Sequence, residues 1–277
     1  MDSSNRGENR RSVVNLTPRT RKIAAMVFAI AAVAAIFLFY FHIAIGVTLW
    51  QRFHWGSAAL VFHRNAEFAL EIGNYYFNVG GTGEYDLKKA DYFFSRAIAI
   101  DPAVPDAWHQ RARISFLKGD FKDALQKINT QISLHGDSFM ASYYIRGLIY
   151  GYDGQFDKAI PDFEKFLAWD KTNWAARNDL AWIYFQKGDF KSANKLAEEG
   201  LQFNPNNTWL LTMKGVTLLN LGKRQEARQV LENALKRAQA LTPADWERAY
   251  PGNDPKSARD GLEKMVNAIE YNLYLTN

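Results

Sequence analysis

The chain has 277 residues, 48% of them hydrophobic and 23% charged, with a formal net charge of +5 and an isoelectric point near 9.2. That length supports one or two domains with a substantial core. Cysteine is absent, which excludes a disulfide framework, a thiolate zinc site, an iron–sulfur cluster and a Cys nucleophile.

A basic balance invites a nucleic-acid partner, but the charge is unevenly placed. Residues 1–22 carry Arg6, Arg10, Arg11, Arg19, Arg21 and Lys22 against Asp2 and Glu8. Residues 23–64 add Arg52 and Arg64 with no acid, and the remainder is close to neutral. The excess therefore belongs to the N-terminus, where it bears on topology, and no nucleic-acid partner is expected.

From Ile23 to Phe41 the chain runs without a charge or strongly polar group. As a helix this stretch is roughly 28 Å long, about the thickness of a bilayer core. Tyr40, Phe41, Trp50, Phe53 and Trp55 gather at its far end, as interfacial aromatics do. The apolar run exceeds the usual core of a cleaved signal peptide. Residues 23–45 are read as an uncleaved transmembrane signal anchor, preceded by a basic disordered tail over 1–22. The positive-inside rule puts that tail in the cytoplasm and the rest beyond the membrane, in a bacterium the inner membrane. Residues 46–64 form a juxtamembrane segment whose charge-free part, 53–62, either lies along the membrane or packs under the following helices.

A repeat follows. Ala90, Ala124, Ala159, Ala193 and Ala227 are spaced by 34 or 35 residues. Gly119, Gly154, Gly188 and Gly222 precede the last four, and Phe121, Phe156 and Phe190 follow three of those glycines. Small residues at Gly73, Ala112, Gly147, Ala181 and Gly215 stand earlier in each unit. Each unit reads as two amphipathic helices joined by a Gly turn, and such pairs bury their apolar faces only by stacking.

This pattern resembles the tetratricopeptide repeat (TPR). Residues 174–207 match it best, through Leu180, Ala181, Tyr184, Gly188, Phe190, Ala193 and Pro205. Departures are Ser115 and Gly136 in unit two, Lys171 in unit three and weak aromatic positions in unit five. Unit one is lengthened by five residues around Gly80–Tyr85. The resemblance implies an all-α protein: a right-handed α-solenoid of about five TPR helix pairs over 65–240, preceded by one N-terminal transmembrane helix. C-terminal capping helices are expected over 241–277, where Thr242-Pro243 and Asp254-Pro255 mark helix starts.

The sequence holds no H-E-x-x-H, P-loop or G-x-S-x-G motif, and Gly81-Thr82-Gly83 lacks the Lys-Ser/Thr of a phosphate loop. No enzyme activity, cofactor or metal is expected. In TPR proteins the first helix of each unit lines a concave, peptide-binding surface. By that resemblance the groove candidates are Asn74, Phe77, His109, Arg113, Phe116, Tyr144, Asn178, Trp182 and Phe185, an aromatic and polar set of the kind interface centres favour. For Phe116 and Phe185, core and groove remain equal alternatives. Leu70, Ala141 and Ile145 stand where receptors of chaperone tails carry cations, which speaks against a carboxylate clamp. The expected function is a membrane-anchored interaction scaffold whose groove takes a peptide or protein partner, in envelope assembly or secretion. The alternatives are an organelle import receptor with cytosolic repeats and an accessory domain of a membrane glycan or lipid enzyme.

Overall fold

The computed structural model describes residues 17–81, 83–250 and 252–277; most of the basic tail lies outside them. The chain forms two units divided between His63 and Arg64.

In the first unit, helix α1 (Pro18–Phe53) begins inside the basic segment. Thr17 accepts the Thr20 N–H at 3.3 Å and Pro18 opens the first turn, where a missing N–H costs nothing. The helix is 36 residues long and runs past the expected span. Its apolar central stretch is exposed, with Phe28, Phe39 and Tyr40 each more than 70% accessible. It is long and apolar enough to cross a membrane. Helix α2 (Gly56–Phe62) folds back on the end of α1, which the two sequence alternatives for 53–62 did not include. Gly46 permits this: a Cβ there would stand 2.8 Å from the Ala59 carbonyl.

The second unit is built of helix pairs: α3 (Ala66–Tyr76) with α4 (Leu87–Ile100), α5 (Ala107–Leu117) with α6 (Phe121–His135), and α7 (Ala141–Tyr152) with α8 (Phe156–Trp169). They continue with α9 (Trp174–Gln186) and α10 (Phe190–Phe203), then α11 (Thr208–Asn220) and α12 (Arg224–Ala238). These five pairs form the expected α-solenoid. The five ruler alanines are fully buried, because any larger side chain at that crossing would hold the paired helices apart. Within a pair, Gly73 faces the Phe94 ring, Gly147 the Phe163 ring and Gly215 the Leu231 side chain.

The turns repeat one device. Gly119, Gly154, Gly188 and Gly222 all have φ between 74° and 77°, the left-handed conformation glycine adopts without a Cβ penalty. The next residue then donates back to the carbonyl of the repeat's eleventh position: Asp120 to Ser115, Gln155 to Tyr150, Asp189 to Tyr184 and Lys223 to Leu218, at 2.8–3.0 Å. Unit one keeps this bond despite its longer loop, since the Asp86 N–H reaches the Tyr76 carbonyl at 2.8 Å. The extra residues are looped out beyond a Phe77–Tyr85 bridge.

After α12, Thr242 and Asp245 form a reciprocal capping box that starts α13 (Pro243–Ala249). Helix α14 (Ala258–Tyr274) closes the stack. Its Met265, Val266, Ile269 and Leu273 pack on the seam of Leu211, Leu231, Ala234 and Ala238, which would otherwise face water at the last repeat.

Candidate functional site

The first helix of each pair forms the inner row. Three of them start on asparagine caps, with Asn65, Asn173 and Asn207 accepting the N–H groups of Phe68, Ala176 and Leu210 at 2.9–3.0 Å. These caps satisfy N–H groups that the first turn leaves without an intrahelical partner. Helices α5, α7, α9 and α11 line a cavity of about 460 Å³, completed by Arg248, Ala249, Tyr250 and Asn253.

One end of the cavity is basic. Arg113 Nη1 donates to Gln110 Oε1 at 2.8 Å, and Gln110 Nε2 donates to Asp106 Oδ2 at 2.8 Å. The guanidinium lies 4.8 Å above the Phe77 ring. Burial lowers the Arg113 pKa and Asp106 opposes the shift; the group remains a cation. Burial, and then the Arg113 charge, holds His109 down to about 3. It is therefore a neutral imidazole, 3.2 Å from the Ser142 hydroxyl.

The other end is acidic and aromatic. Tyr144 donates its hydroxyl to Asp179 Oδ2 at 2.6 Å. Burial pushes Asp179 up to about 6 despite the Tyr144 and Asn178 hydrogen bonds that favour its ionised form. The Trp174 and Trp209 rings meet with centroids 5.2 Å apart, tilted by 35°. Trp209 Nε1 donates to the Tyr250 hydroxyl at 2.9 Å. The cavity can thus hold an aromatic or polar side chain between a cation and a titrating carboxylate.

Of the groove candidates, His109, Arg113, Phe116, Tyr144 and Asn178 line this cavity. Phe77 is fully buried, beneath Arg113 and edge-on to Phe94. Trp182 packs against Tyr152 at 5.1 Å and Phe156 at 6.4 Å, within an aromatic row that Phe116 begins by meeting Tyr152 at 5.2 Å. Phe185 turns to Phe190. Asn74 keeps a buried side-chain oxygen with no hydrogen-bond partner. Sequence reasoning did not pick out Trp174, Asp179, Trp209 or Tyr250. Trp174 directly follows the cap Asn173 and Trp209 stands two residues after the cap Asn207, a signal that was available. Tyr250 lies outside the repeats and carries none.

A stack of helix pairs with a lined inner face defines a helical-repeat binding scaffold. A family model for the tetratricopeptide repeat matches residues 152–201 and 185–248. BBSome complex member BBS4 of Bos taurus is 29% identical over 178 residues, 62% of this chain and 32% of that protein; the chain thus spans about a third of that relative's length. Among solved structures, MamA from Desulfovibrio magneticus RS-1 superposes with a TM-score of 0.55 at 14% identity, covering 63% of this chain and 96% of that one. PilW, described as a type IV pilus biogenesis factor, gives 0.56 at 17% identity over 76% and 96%. At these identities the structures speak for the fold alone. Residues 152–248 thus contain tetratricopeptide repeats, and the helix-pair fold is that of the structures named.

Proposed function

We propose that this protein is a membrane-anchored scaffold whose repeats project away from the cytoplasm and hold a peptide or protein partner in their groove, in envelope assembly or secretion. The observation that carries the binding role is the aromatic and polar inner face of α5, α7, α9 and α11, which leaves about 460 Å³ unfilled. Packed protein interiors seldom leave such room. The anchor rests on the exposed apolar surface of α1, which has no stable place in water. The orientation rests on the basic residues before the apolar stretch of that helix.

Crosslinking in native membranes, with identification of what is captured, tests the scaffold role. Failure to crosslink any protein under conditions where the chain is folded and membrane-bound counts against it. Protease access in intact cells tests the orientation. Digestion of the repeats only after the cytoplasmic face is exposed would reverse it.

A further inference from the structure

The inner face is already partly occupied. Helix α13 and the turn after it run back across the groove. Tyr250 reaches the Trp209 indole and lies 6.2 Å, centroid to centroid, from that ring. Further along, Gly252 adopts φ +93° and sits so close to repeats one and two that a Cβ there would stand 2.5 Å from Arg113 Nη2 on α5 and 3.2 Å from Phe77 Cζ. Burial and then the Asp254 charge push the Tyr85 hydroxyl up, with Arg113 opposing. The segment therefore touches repeats one, two and five.

Its packing differs from that of a core element. None of the seven residues of α13 is buried, Asn253 and Asp254 are exposed, and the cavity beneath is unfilled. The cap itself does not depend on it, because α14 is seated by its own apolar seam. Trp246 lies against Gly261 of α14 and meets the Tyr250 ring at 4.4 Å, tilted by 40°, which ties the segment to the cap.

We propose that residues 243–250 and 252–254 are a tethered occupant of the groove, that a partner enters by displacing them, and that the partner's docking segment presents an aromatic ring bearing a hydrogen-bond acceptor to Trp209. This rests on the binding role given above. A tether fixed by helices at both ends holds its segment at a local concentration in the millimolar range or higher. A peptide supplied in solution therefore sees only the fraction of molecules in which the groove is open, and its apparent affinity falls by that fraction.

The test uses the full chain in detergent micelles and a fluorescein-labelled peptide with the sequence of residues 243–257. Gly252→Val and Tyr250→Ala, each confirmed folded by circular dichroism, are expected to bind the peptide at least tenfold more tightly than the unmodified chain. Adding Trp209→Phe, which keeps a ring and removes the donor, is expected to reverse that gain. Equal affinity across the unmodified chain and both single variants overturns the proposal. Hydrogen exchange of the unmodified chain is an independent arm. The amides of 243–250 and 252–254 are expected to exchange at least a hundredfold faster than those of α12, and protection equal to α12 overturns the proposal. If the peptide arms fail while native-membrane crosslinking still captures a partner, the occupant is refuted and the scaffold stands. If the peptide binds and no protein is ever captured, the scaffold reading falls.

Discussion

Tyr144 and Asp179 join consecutive repeats: the hydroxyl on α7 donates to the carboxylate on α9 at 2.6 Å. The bond ties the inner wall of the groove across two repeats and leaves a carboxylate whose pKa burial raises to about 6.

That carboxylate has a defined pH signature. Asp179 is raised to about 6 in the folded chain, against about 3.9 when unfolded. Between those values the folded state binds more protons, so this group adds stability as pH falls from 7 towards 4. His109 acts oppositely. Its folded value of about 3 lies below the unfolded value of about 6.5, so stability is lost as pH falls through that window. Asp179→Asn is expected to raise stability at pH 7.5 by on the order of 1 kcal/mol and remove the first trend. His109→Gln is expected to blunt acid unfolding. Melting temperatures of both variants between pH 4 and 8 check the two signs.

Glycines at the pair crossings should respond unequally to alanine. At Gly73 the new Cβ would meet Phe94 ring atoms at 2.5 Å, whereas at Gly147 the nearest atoms of Phe163 are at 3.1 Å. Phe94 is fully buried and cannot retreat. Gly73→Ala is expected to cost about 1–3 kcal/mol, beyond the helix-propensity gain of about 1 kcal/mol. Gly147→Ala is expected to be close to neutral. Urea unfolding of the two variants decides.

Arg146 grips Asp162 with two hydrogen bonds of 2.7 Å, and the acid's side chain is only 7% exposed. Asp162→Ala removes the partner and leaves a half-buried cation. It is expected to cost about 3 kcal/mol, while Asp162→Asn loses less. Thermal unfolding compared across the pair separates lost charge from lost hydrogen bonding.

The sequence alone suggests that Trp182→Ala with Arg113→Ala weakens partner capture at no cost in melting temperature. The structure changes that expectation, since Trp182 packs on Tyr152 and Phe156. Trp182→Ala is now expected to cost about 2 kcal/mol. Arg113→Ala alone, scored by crosslinking against calorimetry, is the cleaner probe of the groove.

The repeats were legible because their determinants are local and periodic. An alanine must fill the crossing of each helix pair, and a glycine must turn the chain left-handed at each helix end. A long charge-free run was equally plain. The groove set was legible in part: Arg113, Tyr144 and Asn178 follow from repeat register, since side chains at fixed positions of a helix share one face. Register alone does not say which aromatic meets a neighbour. Phe77 and Trp182 were taken up by packing that the longer loop of unit one and the bulk of Tyr152 create.

By itself, then, the sequence determined the helix pairs, their stacking and the apolar N-terminal helix, because each is set by side-chain size and polarity within a few turns. Only the tertiary structure decided what stands in the groove. Tyr250 reaches Trp209, 41 residues away, and Gly252 comes against Arg113 and Phe77 in a segment with no repeat to announce it. Such contacts depend on where the stack ends and how the chain returns across it.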